Sequence, residues 1–202
     1  ALGVAGRKGI IAYGKLYADN EIDAGTTLRR VTQNPEGVSK GEMGYFTDNK
    51  FDSDQYKAKF GRPMNMFGMA VGPNKKSVEA KVKENIKVAG LNTGKKEFKS
   101  LYETNKEFRN AIDVGYNGGG DDLDSKWKTF NTYGLLRRNG GYSKETQTFI
   151  ERLRSKGYDG VADINDRKYS GFNTRAHILF NYKDKIGDVK IDNQIVLAPM
   201  AG

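Results

Sequence analysis

Apolar residues change their spacing twice along this chain. Residues 26–32, Thr26-Thr27-Leu28-Arg29-Arg30-Val31-Thr32, are rich in β-branched side chains and predict a strand. Asn34-Pro35-Glu36-Gly37 supplies the turn residues that close it. Gly44-Tyr45-Phe46-Thr47 predicts a second short strand, and Asp48 is the predicted cap of a helix over residues 51–60. Met64, Met66, Phe67, Met69 and Val71 form an apolar run bounded by Pro63 and Gly72-Pro73. It reads as a buried strand or as the Met-rich lining of a pocket, with core the favoured of the two. Residues 9–17 are apolar with Gly and Lys interleaved, and fit neither the helical nor the strand period.

The spacing turns helical in the middle. Val78, Val82 and Ile86 recur every fourth residue after Ser77, and Phe98, Leu101, Tyr102, Phe108 and Ile112 mark a second apolar face. Asn117-Gly118-Gly119-Gly120-Asp121-Asp122 then breaks the chain. It lacks the Lys-Ser/Thr ending of a phosphate loop and follows a helix, so it reads as a loop. Ser143 is the predicted cap of a helix carrying Phe149, Ile150 and Leu153, with Arg152, Arg154 and Lys156 favouring its C-terminus and Gly157 stopping it. Residues 160–164, 177–180 and 191–197 predict strands. Strand-rich ends around a helical middle indicate an α+β domain over residues 1–202: two small packed antiparallel sheets forming a cleft, with a helical insertion at about 75–140.

Composition narrows the chemistry. At 202 residues the chain fits one core, and with 25 Gly and 4 Pro it favours turns over rigid linkers. It has no Cys, which excludes disulfides and thiolate chemistry, and its lone His177 builds no His-rich metal site. No metal is expected. No apolar stretch reaches the length of a membrane span, and Gly9-Ile10-Ile11-Ala12 is too short for a signal-peptide core. A net charge of +9 suits nucleic acid, an anionic surface or a phosphate-bearing cofactor. The lysines between Lys75 and Lys106 alternate with apolar positions and read as the wet faces of amphipathic helices.

One string carries a more specific message. Tyr45-Phe46-Thr47-Asp48-Asn49-Lys50-Phe51, followed by Tyr56 eleven residues after Tyr45, resembles the Tyr-Ser-Thr-Asp-Asn-Lys-Tyr motif of the diphtheria-toxin-like and poly-ADP-ribose-polymerase-like ADP-ribosyltransferases. That resemblance implies NAD as substrate, bound in the cleft between the sheets. Tyr45 and Tyr56 become the two walls that hold the nicotinamide ring by stacking and cation–π attraction. Phe46, Thr47 and Asn49 join the cofactor-binding set. The family's first strand carries Tyr-His-Gly-Thr, and here Arg29-Arg30-Val31-Thr32 stands in its place, so Arg30 occupies the His position. Another branch of the superfamily uses Arg there, where it pairs with a phosphate of NAD. Arg30 and Thr32 are then the ribose and phosphate contacts.

The family's catalytic Glu lies on a late strand. The matching string Ala176-His177-Ile178-Leu179-Phe180-Asn181 puts Ala176 at its position. Asp192-Asn193-Gln194-Ile195-Val196-Leu197, which resembles the Glu-x-Glu-Val-Leu-Leu pattern of the Arg-containing branch, puts Gln194 there. Three accounts stay open: the Glu has been replaced, Asp163 or Asp166 supplies the carboxylate, or the domain binds NAD without turning it over. The resemblance implies a toxin or effector that transfers ADP-ribose to a protein or nucleic-acid target or hydrolyses NAD. It would be secreted or delivered to act in a target cytoplasm, and a cognate inhibitor would accompany a toxin. The rival reading is a basic nucleic-acid-binding module or metal-free ribonuclease. That activity needs an acid and a base, for which one His and no paired constellation give little support.

Overall fold

The computed structural model describes residues 16–62, 66, 69, 74–116, 120–135, 142–164, 177–192 and 194–196. Two sheets and a helical layer make up this α+β fold. Its elements in chain order are β1 (Asn20–Ile22), β2 (Thr27–Thr32), α1 (Glu36–Ser39), β3 (Gly44–Phe46), α2 (Lys50–Phe60), β4 (Lys76–Val82) and β5 (Ile86–Ala89). Then come α3 (Leu91–Thr104), α4 (Lys106–Gly115), α5 (Leu123–Thr129) and a π-helical turn (Phe130–Gly134). The chain continues through α6 (Lys144–Arg154), β6 (Gly160–Ala162), β7 (His177–Leu179), β8 (Ile186–Ile191) and β9 (Gln194–Val196).

The larger sheet has the order β1-β5-β6-β7-β3. It is mixed, because β5 and β6 run parallel (Val88↔Gly160, Ala89↔Val161) while every other pair is antiparallel. The expectation of two antiparallel sheets is corrected here. A parallel pair needs a crossover, and the helices α3 to α6 provide it between β5 and β6. The second sheet is antiparallel, ordered β2-β4-β8, with β9 pairing on the far side of β8.

Residues 76–89 are the main departure from the periodicity reading. Val78, Val82 and Ile86 lie on two strands in different sheets, so the helical region begins at Leu91 and not near 75. Val78, Ala80 and Val82 are all buried while Lys76, Lys81 and Lys83 are exposed. A four-residue spacing is also two strand periods, and β-branched Val favours the strand. The second apolar face divides at Asn105, whose side chain accepts the Phe108 N–H and starts α4. Strand β8 was missed, although Ile186, Val189 and Ile191 are its buried positions. Residues 34–37 open the short helix α1, where Asn34 Oδ1 accepts the Gly37 N–H.

The remaining local readings divide between agreement and correction. Ser143 caps α6 by accepting the Thr146 N–H, and Gly157 takes φ +81° just past its end, where a side chain would be strained. Asn49, not Asp48, caps α2 by accepting the Phe51 N–H. Met66 and Met69 are 90% and 59% exposed, which removes both from any core. The rest of that run, residues 9–15 and residues 117–119 lie outside the described residues.

Each face of the larger sheet carries a core. Between the sheets, Leu28, Phe46, Val78, Val88, Leu179, Val189 and their neighbours pack together. On the other face, Val161 and Ile178 meet Phe98, Phe108, Trp127, Phe130 and Phe149 from the helical layer. Trp127 is 3% exposed and sits among Phe98 and Phe149.

Candidate functional site

Strand alternation settles which arginine turns inward. Arg30 pairs with Val78, which is 1% exposed in the inter-sheet core, whereas Arg29 pairs with Glu79 and forms a 2.8 Å ion pair with it on the opposite face. The Arg30 guanidinium lies 5.6 Å from the centre of the Phe46 ring, and its Nη1 donates to the Glu42 carbonyl at 3.4 Å. A Cβ on Gly44 would collide with this guanidinium, so glycine there makes its space. Burial pushes the Tyr182 phenol well above its ordinary range, with the Arg30 charge pulling the other way. The Tyr182 hydroxyl donates to the same Glu42 carbonyl at 2.7 Å.

The motif strand lies beside this arginine. Arg29 and Thr47 exchange backbone hydrogen bonds of 2.7 and 2.9 Å, a bridge that joins the second sheet to the end of β3. Arg29 Nη1 also donates to the Asp48 carbonyl at 3.0 Å, which holds the turn into α2. Thr47 Oγ1 accepts the Asn49 N–H at 3.1 Å, and Asn49 in turn caps the helix. Much of the Thr-Asp-Asn string is thus explained by the strand-to-helix turn it builds. Phe46 is 2% exposed in the inter-sheet core, edge-on to Tyr182 at 4.9 Å. Tyr45 is half-buried and packs against the helical-face core. Tyr56 is half-buried on α2, with Lys75 Nζ 5.2 Å from its ring centre. Thr32 uses its hydroxyl locally, accepting the Asn34 N–H at 3.1 Å.

Strand directions gather the distant segments. Strands β3 and β6 are both antiparallel to β7, with Phe46↔His177 and Ala162↔His177 in register. The C-terminal ends of β3 and β6 and the N-terminal end of β7 therefore meet at one end of the sheet. This brings together Thr47, His177 and Asp163, which is 6% exposed. Ala176 directly precedes His177 in sequence, but Ala176 and Asp166 themselves lie outside the described residues. Gln194 begins β9, whose backbone pairs with Ile191 in the second sheet, three strands from β2. At strand spacing that is about 14 Å across the sheet from the strand of Arg30. His177, the neighbour of one position matched to the missing Glu, and Gln194, the other position, thus belong to different sheets.

Sequence reasoning missed Glu42, Tyr182 and Asn131. Asn131 is fully buried on the π-helical turn, and its Nδ2 donates to the Ala162 carbonyl at 3.2 Å while its Oδ1 accepts the Ile164 N–H at 2.9 Å. No local signal marks any of the three, because Asn131 and Tyr182 reach backbone 31 and 140 residues away and Glu42 serves through its own main-chain carbonyl. No group of His, Asp and Glu among the described residues could hold a metal ion. None of the described helices is long and apolar enough to cross a membrane. The groups suited to a dinucleotide are the Arg30 guanidinium for a phosphate, the aromatic rings of the motif for a base, and Asp163 for a ribose or cationic centre. Comparison of the chain with family models, with curated proteins and with solved structures gave no match.

Proposed function

We propose that this protein binds NAD and cleaves its nicotinamide–ribose bond, as an ADP-ribosyltransferase or NAD glycohydrolase. The observation that carries the reading is the convergence of β3, β6 and β7 at one sheet end, next to the Arg29–Thr47 bridge. Thr47, Asp163 and His177 adjoin there, and the Arg30 guanidinium lies one strand length away, beside Gly44 at the start of β3.

In this reading Arg30 neutralises a phosphate of the dinucleotide, and Tyr45 and Tyr56 flank the nicotinamide. Asp163 stands in for the family's Glu and stabilises positive charge developing at the ribose carbon. The bond from that carbon to the ring nitrogen breaks, and its electron pair leaves with neutral nicotinamide. A water oxygen, or a nucleophile on a macromolecular target, forms the new bond and releases its proton. A protein or nucleic-acid acceptor, delivery into a target cytoplasm and a cognate inhibitor remain part of the proposal on the resemblance alone. The basic-module alternative has less behind it, because Lys95, Lys99, Lys126, Lys144, Lys156 and Lys185 are held in ion pairs.

Calorimetric titration with NAD and chromatographic assay of released nicotinamide test the reading. The wild-type chain is expected to bind NAD, and Asp163→Asn to lower nicotinamide release about 100-fold while leaving binding intact. If Asp163→Asn is silent and Ala176→Glu raises release, the carboxylate belongs at 176. A wild-type chain that neither binds nor cleaves NAD overturns the proposal. Trp127 is buried in the helical core and is a poor optical reporter of the cleft.

A further inference from the structure

The parallel ladder between β5 and β6 stops early. Its last pair is Ala89↔Val161, because Gly90 turns the chain into α3. Gly90 is the N-cap of α3, its N–H taken by Asp19 Oδ1 at 2.9 Å, and from Leu91 on the backbone is helical and offers β6 no further strand. The next polar backbone groups of the β6 segment on that edge are the Ala162 carbonyl and the Ile164 N–H. Ala162 is 3% exposed, so water offers little compensation. The Asn131 carboxamide satisfies both groups, acting as the missing stretch of neighbouring strand.

A local distortion of the helix delivers that carboxamide. Helix α5 widens into the π-helical turn, which buries two consecutive residues, Phe130 and Asn131, both 0% exposed. Gly134 is required, since a Cβ there would strike the Phe130 ring. The Gly134 carbonyl is collected by Thr146 Oγ1 of α6 at 2.6 Å. Insertions of this kind are commonly retained at functional sites. The residue between the two pinned peptide groups is Asp163.

We propose that Asn131 is a positioning residue that fixes Asp163 at the site end of the sheet, an inference that rests on the NAD-cleaving reading for its catalytic consequence. Asn131 touches neither substrate nor reacting atoms; it sets the backbone on both sides of the carboxylate. Displacing a reacting group by about 1 Å costs roughly 100-fold in rate, whereas binding contacts elsewhere are untouched.

The test compares wild type, Asn131→Ala, Asn131→Asp, Asp163→Asn and the Asn131→Ala/Asp163→Asn double variant. Asn131→Asp keeps the acceptor for Ile164 and loses the donor to Ala162, so it separates the two bonds if the Ala variant fails to fold. Nicotinamide release is expected to fall about 10- to 100-fold in Asn131→Ala with the NAD dissociation constant within about threefold of wild type. The double variant is expected to be no slower than the slower single one. Loss of NAD affinity in parallel with rate, or additive losses in the double variant, would overturn the inference. Amide exchange at Ile164 and NMR titration of the Asp163 carboxyl read the clamp without NAD. Faster exchange at Ile164 in Asn131→Ala but not in Asn131→Asp, with a shifted titration in both, supports it, and wild-type values in Asn131→Ala sink it. If wild type fails to bind or cleave NAD, the parent reading falls, and these two NMR measurements still decide whether Asn131 holds Asp163.

Discussion

On its helical face the larger sheet packs against rings: Phe130 lies 5.3–5.8 Å from Phe98, Phe108, Tyr116 and Phe149. On its other face it packs mainly against branched aliphatics of the second sheet, with Phe46 and Tyr182 the aromatic members of that core. The difference follows from the elements. Sheet-on-sheet packing favours short branched side chains at alternate positions, whereas helices crossing a sheet leave deeper spaces that rings fill. The two faces also treat polar groups differently. On the helical face Asn131 and Thr146 are fully buried and hold backbone groups, which stiffens the layer. On the inter-sheet face Arg30 enters beside Gly44 and over Phe46, a cation near a strand end. One face is therefore an aromatic layer with buried polar clamps, and the other is an aliphatic core with a single arginine at its rim.

The largest test of this contrast is Phe130→Ala. Removing a fully buried ring that touches four others is expected to cost about 3–5 kcal/mol, read from urea denaturation. Leu28→Ala, at an equally buried inter-sheet position, is expected to cost about 2–5 kcal/mol. The discriminating readout is site-specific. Phe130→Ala should speed amide exchange at Ile164 through the neighbouring Asn131, and Leu28→Ala should leave it near the wild-type value. Equal effects at Ile164 would mean that the two faces form one undivided core.

Gly44→Ala probes the other face. The added Cβ collides with the Arg30 guanidinium, which must leave Phe46 and the Glu42 carbonyl. The stability cost is expected to be about 1–3 kcal/mol, the range for overpacking. If Arg30 serves a phosphate, NAD affinity falls too. Arg30→Lys separates these effects, keeping the charge while losing the planar group that lies over Phe46. Unchanged NAD affinity in both variants would leave Arg30 as a purely structural anchor.

Local patterns revealed those parts of the molecule whose causes are local. Strands β2 and β3, helix α2 and the Ser143 cap were legible because propensity and capping operate within a few residues. The helical reading of 76–89 failed because Val78 and Val82 satisfy both periods, and only pairing with β2 and β8 decides between them. For the candidate site, sequence supplied Arg30, the motif segment and Asp163. It could not supply the approach of Thr47 to Asp163, which depends on β3 and β6 both pairing with β7. Asn131, Glu42 and Tyr182 were invisible because each is defined by a backbone partner 31 to 140 residues away or by a turn whose shape is tertiary.

The smallest effect concerns the charges that fasten the helical layer to itself. Glu97 of α3 is 3% exposed and receives Arg152 Nε and Lys156 Nζ, each at 2.9 Å, from α6 and the turn after it. Burial raises its carboxyl pKa, and the hydrogen bonds and charges of Lys156 and Arg152 outweigh that, leaving it below the ordinary 4.5. A carboxyl depressed on folding contributes stability that is complete above its unfolded value. That contribution is lost as pH falls through the lower folded value. Glu97→Gln should therefore be less stable than wild type at pH 7, by about 1 kcal/mol, since both cations can re-solvate once released. The gap should close as pH drops from about 5 towards 3, with the wild type changing more steeply. Urea midpoints across that range measure it. A gap that is constant with pH would show that ion pairing contributes nothing to joining α3 and α6, and that the helical face is held by its aromatic packing alone.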